Sequence, residues 1–226
     1  MKVTWLGQAG LWMETEGVRI LVDPYLSDSV EAIQPHNRRR IPVDERFFGL
    51  KPHVIVLTHD HLDHTDPETL AHFLKENTAV CVLASGNAWE RVRKIFGGIS
   101  NNYVCFNSGT EWTERGLLFR AVYAEHSDPC AIGFVLEAEG KRFYITGDTL
   151  YHPRVLAEAG EGIDYVFLPV NGVGNNMNMA DGVRFCEALG ATALPYHCGL
   201  FDEKKLEDFP YGRKIVMKCY GEVELK

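Results

Sequence analysis

Thr58-His59-Asp60-His61-Leu62-Asp63-His64 follows directly on the apolar run Val54-Ile55-Val56-Leu57, and the reading of this stretch decides the fold. The run is too short for a helix and rich in β-branched side chains, so it reads as a buried strand delivering the cluster to a loop at a sheet edge. Three imidazoles and two carboxylates crowd into that loop. Neutral imidazole nitrogens and carboxylate oxygens are the donors that divalent zinc, manganese or iron take. His59 and His61 alternate about Asp60, whereas Asp63 and His64 point elsewhere, so the spacing suggests two metals rather than one. The competing reading is a solvated polar loop, in which so much histidine is hard to explain.

Composition bounds the class. A chain of 226 residues can bury a substantial core and nothing in it forces a second domain, so residues 1–226 are expected to form one unit. Hydrophobic residues at 46% and charged ones at 24%, with mean hydropathy near zero, describe a globular protein rather than a disordered one. A formal net charge of −8 disfavours non-specific contact with nucleic acid. The opening MKVTWLGQAGLWMETEG lacks an apolar core followed by a cleavage site, and no later segment reaches the apolar length of a spanning helix. A cytoplasmic location is expected, with a small-molecule substrate, no membrane and no nucleic acid as partners, and homo-oligomers left open. Cys81, Cys105, Cys130, Cys186, Cys198 and Cys219 include no CxxC pair and read mostly as buried reduced thiols.

Ahead of the cluster, Lys2 to Leu6, Leu11 to Thr15 and Arg19 to Val22 are strand-like runs punctuated by glycines, a β-meander that ends at Asp23-Pro24. Residues 25 to 52 show no clear periodicity, and a loop of this length is often functional. Its Arg38, Arg39 and Arg40 could grip a phosphate or carboxylate by paired hydrogen bonds, or form a solvated charge run. Behind the cluster, Asp66 caps a helix with Pro67 at its first position, running to about Asn77. Val80 to Ala84 then reads as a strand, and Ser85 caps a helix that ends at Gly97-Gly98. Helix layered over sheet is what this order implies.

The second half is richer in strands, at Tyr103 to Phe106, Leu117 to Tyr123, Ala131 to Glu137 and Arg142 to Thr146, with a hairpin turn over 138–141. A short helix at Pro153 to Ala159 and a strand at Tyr165 to Pro169 lead into an asparagine- and glycine-rich loop. Asn178 ends that loop as the cap of a helix from Ala180 to Leu189. A strand at Ala193 to Tyr196, a helix near Asp202 to Phe209 and a closing strand near Lys214 to Cys219 complete the order.

The string His59-x-His61-x-Asp63-His64 behind a strand resembles the HxHxDH signature of the metallo-β-lactamase superfamily. The resemblance implies an α/β (α+β) four-layer αββα sandwich. It also implies three further ligands at the ends of later strands: a histidine, an aspartate bridging both metals, and a last histidine. His126, Asp148 and His197 each stand directly after a strand-like run, in that order. One metal would then take His59, His61 and His126, and the other Asp63, His64 and His197, with Asp148 between. The cofactors implied are two divalent ions, zinc or manganese, with iron also compatible. Asp23 becomes a candidate partner for a metal-bound histidine, or else an Asp-Pro turn initiator. His152 is a weak neighbour of the site, and Cys130 and Cys198 are expected near the metals.

On this resemblance the chain is a metal-dependent hydrolase, with a hydroxide bridging the two metals as nucleophile. Asp63 and Asp148 would act catalytically, and Asp60 would shuttle a proton or orient a ligand. Oxygen-reducing di-iron members replace the second motif histidine with a carboxylate; this chain keeps His61. RNA-cleaving members need far more sequence between the bridging aspartate and the last histidine than separates Asp148 from His197. Asp23-Pro24, Asp66-Pro67 and the Pro169 to Asn178 loop look most like the ascorbate-6-phosphate lactonase branch, although this chain is shorter. The expected substrate is therefore a small cyclic ester such as a phosphorylated sugar lactone, with Asn171, Asn175, Asn176 and Asn178 facing the ring and Arg38, Arg39 and Arg40 holding the phosphate. Turn and cap chemistry is the alternative for the asparagines. A phosphodiesterase, or a metal-binding protein with little turnover, is the competing function.

Overall fold

The computed structural model describes residues 1–75, 79–197 and 204–226. The meander forms as β1 (Lys2–Gly7), β2 (Gly10–Thr15) and β3 (Val18–Val22). The aperiodic stretch after it holds a short helix, α1 (Ser29–Ile33), and two 3-10 turns at Pro35–Asn37 and Glu45–Gly49. Then follow β4 (Val54–Leu57), α2 (Pro67–Leu74), β5 (Cys81–Ala84), α3 (Gly86–Phe96) and β6 (Asn102–Cys105). Next are β7 (Glu111–Glu114), β8 (Leu117–Tyr123), β9 (Ile132–Ala138), β10 (Lys141–Ile145) and α4 (Pro153–Ala159). The last elements are β11 (Tyr165–Pro169), α5 (Met179–Leu189), β12 (Thr192–Tyr196), α6 (Lys204–Glu207) and β13 (Glu222–Glu224).

Among the described residues these strands make two sheets, ordered β13-β1-β2-β3-β4-β5-β6 and β12-β11-β10-β9-β8-β7. Strand β4 shows how they stack, because alternate side chains of a strand face opposite ways. Val54 and Val56 join the core shared with Phe119, Phe134 and Ile145 of the second sheet. Ile55 and Leu57 instead pack with Leu70 and Phe73 of α2 and with Val92 and Phe96 of α3. Helices α4 and α5 lie on the second sheet, against β8 and β11. This is the αββα sandwich that the resemblance implies, with helices outside and the two sheets face to face.

The parallel strands set the position of the site. β3 and β4 run parallel in one sheet, and β10, β11 and β12 run parallel in the other. Ligands of open α/β sheets gather in the crevice beyond the carboxyl ends of such strands. Asp23, His59, Asp148, Asn171 and His197 all follow those ends closely along the chain. The Ile132 N–H, at the start of β9, donates to the Thr58 carbonyl across the sheets at 3.0 Å and holds the two edges together.

Several boundaries differ from expectation for local reasons. Asp66 does cap α2, accepting from Glu68 and Thr69 N–H, but the helix ends at Leu74; Asn77 lies outside the described residues. Ser85 makes no side-chain cap bond, and its buried Oγ has no hydrogen-bond partner. Residues 214–219 do not form the expected strand. Lys214 bridges Ala193 in one sheet and Cys219 bridges Trp5 in the other, so the segment crosses between sheets and builds a ladder on neither. The strand that pairs with β1 is β13, further along. The expected helix near 202–209 is described only as α6, residues 202 and 203 lying outside.

Candidate metal centre

Asp23 organises the first half of the site. Its backbone holds φ +39° and its side chain is completely buried, with Oδ1 accepting from Thr58 N–H at 2.8 Å and Oδ2 from Thr58 Oγ1 at 2.6 Å. His64 Nδ1 lies 2.8 Å from the same Oδ2, and His59 Nδ1 lies 3.1 Å from Thr58 Oγ1. A carboxylate only accepts, so His64 must donate from Nδ1. The Thr58 hydroxyl, whose O–H donates to Asp23, accepts from His59 Nδ1. Both rings are thereby fixed with Nε2 turned to the cavity. This is how an outer carboxylate fixes the tautomer of a ligating histidine.

Asp148 organises the other half. It is presented by Gly147, whose φ of +60° and close neighbours leave no room for a side chain: a Cβ there would meet the Ile132 carbonyl oxygen at 2.7 Å. Gly147→Ala is expected to destabilise the protein by roughly 1–3 kcal/mol through backbone strain alone, read as a lower midpoint in denaturant; an unchanged midpoint would refute the packing argument. Asn176 Nδ2 donates to Asp148 Oδ2 at 2.9 Å, which leaves Oδ1 facing His197 Nε2 at 3.2 Å and His64 Nε2 at 3.4 Å.

Three overlapping donor groups result: His59, His61 and His126; His59, His64 and Asp148; Asp63, His64 and His197. His126 Nε2 is 3.2 Å from His61 Nδ1, His64 Nε2 is 3.1 Å from His197 Nε2, and Asp63 Oδ2 is 3.6 Å from His197 Nε2. Ligands on a tetrahedral ion at about 2.1 Å stand about 3.4 Å apart, so these separations suit metal coordination. Two atoms make the same point more sharply. His59 Nε2 is buried with no hydrogen-bond partner, and Asp148 Oδ1 is buried with only the rims of the His64 and His197 rings facing it, a costly arrangement unless a cation completes it. The donor set therefore fits divalent metal.

Electrostatics divides the histidines. Burial lowers His59 well below the ordinary imidazole range, and nearby His64 lowers it further. Burial also lowers His126, against the pull of Asp148. For His64 and His197 burial is the largest influence and acts downward too, but the surrounding carboxylates together leave both raised, Asp148 foremost, with Asp63 helping at both and Asp23 at His64. Burial pushes Asp148 up, yet His197 and His64 hold it well below the carboxylate range. In the absence of metal the carboxylates thus favour the protonated forms of His64 and His197. The raised histidines stabilise it at pH below their unfolded value, and that contribution fades as pH rises through their folded values. Metal loading should release protons and weaken as pH falls. Calorimetric titration in two buffers of different ionisation enthalpy measures the release; equal heats would contradict it.

The remaining expected residues divide between support and correction. Asp60 is not free to shuttle a proton to substrate: Arg91 Nε lies 2.5 Å from its Oδ1 and Arg91 Nη2 donates to Oδ2 at 3.1 Å. Burial raises Asp60 from the carboxylate range while Arg91 pulls it back. Its backbone N–H donates to Asp128, which also accepts from Asn87 and from Cys130 N–H, tying the histidine loop to α3 and to the His126 loop. Asn171 donates to the His197 carbonyl, and the Asn175 carbonyl lies 3.4 Å from His126 Nδ1. Asn178 is exposed and caps α5, accepting from Asp181 N–H, so its expected role toward substrate is corrected to a cap. Arg39 is also corrected. Its guanidinium is spent on the carbonyls of Tyr25 and Leu6 and on the Tyr220 hydroxyl. Neither it nor Arg38 or Arg40 lines the cavity. Cys130 sits beside Gly86 and Asn107, at the start of α3; Cys198 lies outside the described residues.

The cavity over the donors measures about 470 Å³. Asp63, Asp148 and His197 line it together with Val30, Ile33, Gln34 and Asn37 from α1 and the turn after it, and with Leu62, Val173 and Asn175 from two other loops. Gln8 also lines it, at a φ of +47°, its carbonyl accepting from His197 N–H at 3.0 Å and supporting the φ of +58° at that histidine. Sequence reasoning passes over Gln8 and α1. The signal available for Gln8 is a lone polar residue in a glycine-bounded turn at the same sheet edge.

The family model of the beta-lactamase superfamily domain matches residues 18–198, and this sandwich with its histidine-aspartate edge is the fold of the metallo-β-lactamase superfamily. A UPF0173 metal-dependent hydrolase of Ligilactobacillus salivarius is 32% identical over 177 residues, 75% of this chain and 72% of the relative. Another from Flavobacterium johnsoniae is 28% identical over 242 aligned positions, covering 98% of both chains. The chain belongs to the UPF0173 family of metal-dependent hydrolases. Among solved structures, an isothiocyanate hydrolase from Delia radicum gut bacteria superposes with a TM-score of 0.78, covering 100% of this chain and 99% of its own, at 19% identity; at that distance the likeness is one of fold. Among the described residues no helix is long and apolar enough to cross a membrane.

Proposed function

We propose that this metal-dependent hydrolase is dinuclear and opens a small, uncharged cyclic ester. The observation that carries the reading is the buried Asp148 carboxylate, whose Oδ1 faces His64 and His197 and which shares a donor group with His59 and His64, one histidine from each proposed set. His59, His61 and His126 would hold one ion and Asp63, His64 and His197 the other, with Asp148 shared. When bound, two such ions lower the pKa of a water to about 7 and polarise the carbonyl. The residues do the rest. Asp23 and Thr58 keep Nε2 of His59 and His64 aimed inward, and Asn176 keeps Asp148 from rotating. Water oxygen bonds the carbonyl carbon, the ring C–O bond breaks, and the departing alkoxide takes a proton from that water. Asp63, which lines the cavity, would pass it on.

The likeness to the ascorbate-6-phosphate lactonase branch supports lactone chemistry, but its phosphate would lack a cation here, since no arginine or lysine among the described residues lines the cavity. The test uses metal-stripped protein reloaded with zinc or manganese and offered an uncharged lactone beside a phosphodiester. Metal-dependent lactone turnover is expected. Turnover of the phosphodiester alone would move the protein to phosphorus chemistry, and none on either would leave a metal-binding protein.

A further inference from the structure

The cavity wall carries information about substrate that the metal ligands do not. α1 buries none of its residues, yet two of them, Val30 and Ile33, line the cavity, and Ile33 is 71% exposed. Val173, 39% exposed, and Leu62 line the same cavity. These aliphatic groups serve no core, and they share one continuous cavity with Asp148 and His197. Gln8, Gln34, Asn37 and Asn175, which line it as well, carry neutral amides.

Resting on the hydrolase reading above, we infer that Val30, Ile33, Leu62 and Val173 form an acyl subsite, so that the substrate is an uncharged ester or lactone bearing an unbranched aliphatic arm. The carbonyl would lie over the metal donors and the arm between α1 and the loop after β11. An anionic arm would meet no arginine or lysine among the described residues lining the cavity and would leave aliphatic surface wet. A pocket of this kind discriminates modestly per methylene but cumulatively along a chain.

The test is a chain-length series read in two ways on metal-loaded protein. Alkanoyl hydroxamates, acetyl through hexanoyl, are titrated by calorimetry, and matching alkanoyl esters are assayed for kcat/KM. Each methylene that enters the subsite should tighten hydroxamate binding about fourfold, and Ile33→Glu should flatten that slope while retaining wild-type metal content. A phosphorylated arm of equal length should bind more weakly than the alkyl one. Equal affinity along the series, or preference for the phosphorylated arm, overturns the inference. A steep binding slope with no ester turnover keeps the subsite and instead defeats the hydrolase reading. A wild-type dimer that Ile33→Glu converts to a monomer, with the slope unchanged, would assign the patch to a second copy and also overturn it.

Discussion

Asp148→Asn should keep the fold and lower kcat/KM by roughly 10³-fold or more, beyond the loss of a single oxyanion-stabilising donor. The substitution preserves shape and the possibility of a bond to Asn176, so the architecture around Gly147 has no reason to change. What disappears is the charge shared by His64 and His197, which lie 3.4 Å and 3.2 Å from Oδ1. Without it nothing opposes burial at the two imidazoles to the same degree, and their affinity for protons falls. Metal-free variant should therefore lose much of the pH dependence of stability that those histidines give the wild type. The change is visible as a flatter alkaline limb in denaturation midpoints against pH. Full activity in Asp148→Asn, with two metals still bound, would remove the shared carboxylate from the mechanism.

The second large effect belongs to a residue that touches no donor atom facing the cavity. Asp23→Asn should weaken metal binding by about 10- to 100-fold. The substituted amide could still accept from Thr58 N–H, but its one neutral oxygen cannot replace a carboxylate serving both the Thr58 hydroxyl and His64 Nδ1. His59 and His64 would then be free to adopt the wrong tautomer. Thr58→Val breaks only the relay to His59, so it should weaken one metal and spare the other. Imidazole nitrogen shifts in labelled protein report the tautomers directly. Equal metal affinity in Asp23→Asn and wild type would reduce Asp23 to the turn initiator that its place before Pro24 also allows.

What the sequence made legible follows from how locally each feature is encoded. The strand before His59, the proline at the start of α2 and the Asn178 cap depend on neighbours in the chain, and they read correctly. β7 did not, because its Glu111-Trp112-Thr113-Glu114 alternates too weakly to look apolar on either face and takes its place by pairing with β8. The closing segment failed for a related reason: Lys214 and Cys219 answer to different sheets, which no local pattern records. At the site, the cluster from His59 to His64 announced itself by type and spacing, and the resemblance then pointed to His126, Asp148 and His197, which the fold brings beside it. Their supports carried no such signal. Whether an asparagine holds Asp148, caps a helix or faces a cavity depends on partners 28 or 3 positions away, and Asn176 and Asn178 look alike in the chain. The arginines mislead for the same reason, since the fate of Arg39 is fixed by Tyr220, on the far side of the sequence.

The central claim is that two ions share this edge of the sandwich, and counting them tests it most directly. Stripped wild-type protein, titrated with zinc or manganese and assayed by elemental analysis after dialysis, should retain two ions per chain. His126→Ala should retain one, since its ring serves a single donor set. One ion per wild-type chain, or two in His126→Ala bound as firmly as before, would contradict the dinuclear account.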